Sequence, residues 1–144
     1  MRIERATEAT DELLAAFERL IPQVSTRAAP TSEHIQELVR DPRTVQFVAR
    51  DDGAICGALT LIVYRTPSGV NAVIEDVVVD ESSRGAGIGE ALVREALASA
   101  VVAGAERVSL TSRPSREAAN RLYLRLGFEL RETNIYAMNL TAPS

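Results

Sequence analysis

VVVDESSRGAGIGEALV, residues 77–93, sets an apolar run against an acidic turn, then an arginine, three glycines within five residues, and an apolar stretch with helical spacing. The chain has eight glycines, so this junction holds a large share of them. The first amides of a helix have no intrahelical acceptor, and the helix dipole adds partial positive charge at that end. Anions bind there provided no side chain intervenes. Gly85, Gly87 and Gly89 remove Cβ atoms and permit positive φ. Arg84 adds a fixed charge able to make paired hydrogen bonds to phosphate. The stretch therefore reads as a diphosphate cradle between a strand and a helix. Two other glycine motifs are excluded. A dinucleotide fingerprint would need its third glycine at Glu90 or Leu92. A nucleoside-triphosphate loop needs a lysine, and all sixteen basic residues are arginine.

Outward from the cradle the period alternates between strand and helix. Residues 70–79 read as the strand that feeds it. Residues 44–50 alternate, Asp51-Asp52-Gly53 marks a hairpin turn, and residues 54–64 form a long strand. Pro67 and Gly69 mark a second turn, so three strands make an antiparallel meander. Before it lie a short strand at residues 3–6 and two helices. The first is capped by Thr7 or Thr10 and closed by Pro22, the second is capped by Ser32. After the cradle, Leu92, Val93, Ala96, Leu97 and Val101 keep helical spacing, and Gly104 stops the helix. Residues 107–112 read as a buried strand, reached by a helical crossover that favours parallel pairing. Residues 116–126 read as a helix ended by Gly127, and residues 128–132 and 134–140 as two further strands. The expected fold is α/β (α+β). It is a mixed, mostly antiparallel sheet of about seven strands, splayed in the middle, with about four helices on both faces.

With 144 residues the chain fits one domain, spanning 1–144. A net charge of −4 argues against a general nucleic-acid binder. No apolar run reaches the ~18 residues of a membrane span, so no membrane partner is expected. The N-terminus lacks the apolar core of a signal peptide, and a single cysteine, Cys56, suits a reducing cytoplasm. One histidine and one cysteine offer no metal constellation.

Arg84-Gly85-Ala86-Gly87-Ile88-Gly89 resembles R/Q-x-x-G-x-G/A, the acyl-CoA pyrophosphate motif of the GNAT superfamily of N-acetyltransferases. Asn120-Arg121-Leu122-Tyr123, followed by Gly127-Phe128, resembles the family's second signature, a helix with a tyrosine before GF. The two motifs stand at the family's usual distance. The resemblance implies acetyl-CoA as co-substrate and a primary amine of a small molecule, or of a peptide, as acceptor, in an enzyme whose composition suits the cytoplasm and no metal; relatives are often dimers, which leaves a homodimer open. It implies a gap between the strand before the cradle and the strand after the helix. The pantetheine arm would lie along the backbone of Val77, Val78 and Val79, and the pyrophosphate on residues 84–89. Asn120 would face the cofactor and Tyr123 its sulfur. Where many relatives carry an asparagine seven residues before the tyrosine, this chain has Arg116, expected to face solvent or a cofactor phosphate.

The reaction so implied needs a neutral amine, and a lysine-like amine has a pKa of about 10.4. A carboxylate can take its proton, directly or through water. Glu75 is the candidate base; strict alternation would put it on the face of Val77 and send its rival Asp76 to the other. Tyr123 is the candidate acid for the departing sulfur, and the Val77 amide the donor to the reacting carbonyl oxygen. Other readings are a non-catalytic acyl-CoA-binding module or sensor, and transfer of a longer acyl group. His34 is expected to be exposed and Cys56 to be a core residue.

Overall fold

The computed structural model describes residues 1–141; the last three residues of the expected 1–144 domain lie outside them. The chain forms two compact units, Met1–Thr111 and Ser112–Ser144.

The first unit is a sheet in the order β1-β2-β3-β4-β5. Its strands are β1 (Arg2–Arg5), β2 (Thr44–Asp51), β3 (Ala54–Thr66), β4 (Gly69–Val79) and β5 (Arg107–Ser109). The first four pair antiparallel in chain order. Asp52 and Gly53 both take positive φ, at 50° and 80°, the two-residue turn that matches strand twist. The expected crossover is present: β4 leads through α3 (Ile88–Val102) to β5, and the two strands pair parallel.

Helices cover both faces of this sheet. Thr10 caps α1 (Asp11–Leu20) by accepting the Leu13 amide at 3.1 Å. The cap of α2 (Ser32–Arg40) is Thr31 rather than the expected Ser32, and Thr31 accepts the His34 amide. Leu13, Phe17, Leu20 and Ile35 pack with Val48, Ala58 and Val78. The opposite face takes α3, through the buried Ile88, Leu92, Val93 and Ala96. Cys56 is buried, as expected of a core residue.

Gly57 shows how tightly α3 lies on β3. A Cβ built there would stand 3.0 Å from the Val78 carbonyl oxygen and 3.3 Å from side-chain atoms of Ile88 and Leu92. Nothing local marks this glycine, because its neighbours come from a strand and a helix more than twenty residues away.

The second unit contains α4 (Glu117–Arg125). Its last carbonyls are met by the amides of Leu126, Gly127 and Phe128, with Gly127 at φ 103°. The strands expected at residues 128–132 and 134–140 are absent. The sheet thus has five strands rather than about seven. Leu130, Ile135, Tyr136, Met138 and Leu140 are exposed, from 72% to 92%. Alternation can assign residues to two faces, but a ladder also needs a partner backbone, and an isolated hairpin is marginal in water. The expected buried strand at 107–112 is also shorter, three residues with Arg107 and Ser109 exposed. Among the described residues no helix is long and apolar enough to cross a membrane.

Gly57→Ala should destabilise the protein by about 1–3 kcal/mol, the usual cost of overpacking a filled core. Urea denaturation followed by circular dichroism reads it directly; an unchanged midpoint would mean that α3 does not press on β3 as described.

Candidate active site

Between β4 and β5 the ladder is short. Asn71, Ala72 and Val73 pair with Arg107, Val108 and Ser109, and β5 then ends while β4 runs on to Val79. Residues 74–79 therefore have β3 on one side and no strand on the β5 side. These six residues of β4, five of them without positive φ, border an open slot.

The slot leads to the glycine junction. Asp80 anchors its start: the Asp80 amide donates to the Cys56 carbonyl at 2.8 Å, and one carboxylate oxygen accepts the Ser82 amide. Arg19 reaches from α1 to the Asp80 carboxylate at 3.2 Å and to the Ile55 carbonyl at 2.6 Å. Burial opposes ionisation of Asp80, but the Ser82 amide and Arg19 outweigh it and hold the carboxyl below its ordinary value. Past a 3-10 turn at Glu81–Ser83, Gly85 and Gly87 take φ of 88° and 78°. Gly87 is the N-cap of α3 and has no side chain to cap the helix itself. A Cβ at Gly85 or Gly87 would meet nothing within 4 Å, so protein atoms leave the space over these amides empty. Gly89 does not use the positive φ open to it and is helical, inside α3. Arg84 and Ala86 are exposed, and Arg84 Nε donates to the Val79 carbonyl at 3.3 Å. Ile88 differs from its cradle neighbours in being buried, 1% exposed, and it pins the helix start to the sheet. The residues present thus fit a diphosphate: positive helix end, bare backbone, one exposed guanidinium.

The carboxylates sit at an irregularity. Ala58 pairs with Val78 and Thr60 with Glu75, so Leu59 alone opposes both Asp76 and Val77. This is a β-bulge, and Asp76 carries its strain at φ 49°. The extra residue breaks alternation. By register Glu75 shares a face with Thr60 and Val78, not with Val77. Asp76 does not turn to the other face as alternation predicts; it lines a cleft with Ala58 and Thr60. Glu75 and Asp76 are both exposed as whole residues. Partial desolvation still pushes the Glu75 carboxyl above its ordinary value, and the like charge of Asp76 adds to this.

That cleft, about 190 Å³, opens on the α1/α2 side of the sheet. Its floor includes Gln46, a buried residue that composition alone did not single out. Gln46 Nε2 donates to the carbonyls of Phe47 and Leu59, and its Oε1 accepts the Thr60 hydroxyl at 2.6 Å. A glutamine and a threonine at paired strand positions were the available signal. His34 is exposed as expected, yet it lines this cleft.

In the second unit Tyr123 is 6% exposed, its ring edge-on to Phe128 with centroids 5.8 Å apart. Burial pushes its phenol above the ordinary value, opposed by the positive charge of Arg116. A phenol so shifted keeps its proton at neutral pH. Arg116 is exposed at the N-cap of α4 and makes no side-chain cap. Asn120 Nδ2 donates to the Arg113 carbonyl at 3.0 Å, which ties down the turn before α4. Among the described residues no group of three His, Cys, Asp or Glu could hold a metal ion.

The Acetyltransferase (GNAT) family matches residues 8–128. The chain belongs to the GNAT acetyltransferase family. It is similar to a transcriptional regulator from Bacillus halodurans, with 26% identity over 96% of this chain and 99% of that one, at a TM-score of 0.80. An acetyltransferase from Trypanosoma brucei shares 26% identity over 96% of this chain and 99% of its own, at a TM-score of 0.76. An aminoglycoside acetyltransferase from an uncultured soil metagenomic sample shares 25% identity over 98% and 96%, at a TM-score of 0.80. No curated protein matches the chain.

Gly87→Val should weaken coenzyme A binding at least tenfold by calorimetry, because it fills the cradle. Gly104→Val, at φ 83° beyond the other end of α3, imposes comparable backbone strain and should leave affinity intact. Equal losses in both variants would assign the effect to strain rather than to the cradle.

Proposed function

We propose that this GNAT protein transfers an acetyl group from acetyl-CoA to a primary amine of a small molecule, in the cytoplasm. The observation that carries the reading is the join of two features. The bare N-terminus of α3 follows directly on the strand whose far edge β5 leaves open. When bound, acetyl-CoA supplies an activated acetyl thioester. The amides of residues 85–89 and the Arg84 guanidinium would hold its diphosphate, and the backbone of Val77, Val78 and Val79 its arm. Asn120, whose Oδ1 accepts no hydrogen bond among the described residues, would face that cofactor.

Glu75 is the proposed base. Its raised pKa brings it nearer to working pH, where a general base is most effective, while ordinary carboxylates are poorer proton acceptors. Asp76, lining the cleft beside it, would receive the arriving ammonium, and Glu75 would take the proton that the ammonium loses before it attacks. The Val77 amide would donate to the carbonyl oxygen. Tyr123, kept protonated by burial, would donate to the departing sulfur.

Thiol release against an amine panel tests the activity; tight coenzyme A binding with no release on any amine would replace it with a binding module. In the pH–rate profile the rising limb reports the base, and desolvation with a like charge places it above the ordinary glutamate value. Asp76→Asn removes the like charge, so the limb should move to lower pH. Glu75→Gln should flatten it, with a loss of roughly 10²- to 10⁴-fold in kcat/KM. A limb that persists unchanged in Glu75→Gln would exclude Glu75 as the base.

Tyr123→Phe keeps the ring and its Phe128 contact but removes the proton. It should lower kcat by about tenfold or more while the coenzyme A dissociation constant stays the same. A kcat equal to wild type would reduce Tyr123 to packing.

A further inference from the structure

The cleft on the α1/α2 side carries opposite charges on different elements. Its floor comes from the strands, and the carboxylate there is Asp76. Its rim comes from the chain between α1 and α2, and the guanidinium there is Arg27. Apolar side chains of Phe17, Ile21, Ile35 and Leu38 also line it.

The other polar groups of the floor are already satisfied. Gln46 spends both its amide hydrogens on backbone carbonyls and its oxygen on Thr60. Asp76 has no hydrogen bond or ion pair among the described residues, and neither does the guanidinium of Arg27. The Arg27 backbone, by contrast, is fixed: its amide donates to Ser25 Oγ at 3.1 Å. Nearby arginines of the first unit are ion-paired, Arg19 to Asp80, Arg43 to Asp41 and Arg50 to Glu12 and Glu4. Arg27 alone brings an uncommitted fixed charge to the cleft, with His34 on the same lining.

We propose that the acceptor is a small primary amine that also bears an anionic group, a carboxylate or a phosphate, with Arg27 holding the anion and Asp76 the ammonium. This names the acceptor class of the transferase reading and rests on it. A cleft of about 190 Å³ suits a ligand below drug size. Guanidinium binds carboxylate and phosphate alike through paired hydrogen bonds. A polycationic amine would set a second positive charge against Arg27, a repulsive element that selects against it.

The test uses full-length protein saturated with coenzyme A, which keeps anions off the glycine cradle. Calorimetry compares β-alanine with its methyl ester, 2-aminoethyl phosphate with 2-aminoethanol, and 1,4-diaminobutane. Thiol release from acetyl-CoA is measured on the same compounds. At least one anion-bearing amine should bind about tenfold or more tightly than its uncharged analogue, and the two pairs tell carboxylate from phosphate. Arg27→Gln should erase that preference and Arg27→Lys retain most of it, which separates charge from folding damage. Binding of both the ester and the alcohol as tightly as their anion-bearing partners, or tightest binding of the diamine, overturns the proposal. So does a preference that survives in Arg27→Gln, or no binding of any compound. Anion preference without thiol release keeps this assignment and removes the transferase reading. Thiol release without the preference does the reverse.

Discussion

A parallel ladder of three residue pairs joins β4 to β5, and its shortness shapes the candidate site. Were it to run the length of β4, the backbone of Val77, Val78 and Val79 would be consumed by the sheet. Because β5 stops at Ser109, that backbone remains as an edge that a ligand can extend as a strand. The same strand then turns at Asp80 into the start of α3. One element thus offers peptide groups along its side and helix amides at its end. Arg19, bonded to both Asp80 and the Ile55 carbonyl, holds that corner against β3.

The bulge in β4 is the second determinant. An extra residue between Glu75 and Val78 lets two adjacent carboxylates approach the same side of the sheet. In a regular strand one of them would face α3 and the apolar core. Partial burial, with the like charge of Asp76 beside it, shifts the Glu75 carboxyl upward. Backbone strain at Asp76, φ 49°, accompanies this arrangement.

Much of the first unit was legible because its signals are local. Thr10 before an apolar-periodic run, Asp52-Gly53 between alternating segments, and glycines before a helix each act within a few residues. The parallel crossover followed from chain order and handedness alone. What escaped depends on distant partners. Gly57 is required by Val78, Ile88 and Leu92. Gln46 and Thr60 meet only because β2 and β3 pair. The two strands expected in residues 128–132 and 134–140 have no ladder, since an apolar pattern describes faces and says nothing about an available partner.

By itself the chain of residues determined the elements of the first unit, their order, the glycine junction before α3 and the family, because these rest on short-range periodicity and on glycine's freedom from a Cβ. Tertiary structure alone decided where β5 lets go of β4, how the bulge redirects Asp76, and that Arg27 and Asp76 line one cleft. Pairing register and the packing of loop against sheet are set by contacts between residues far apart in sequence, and no local pattern encodes them.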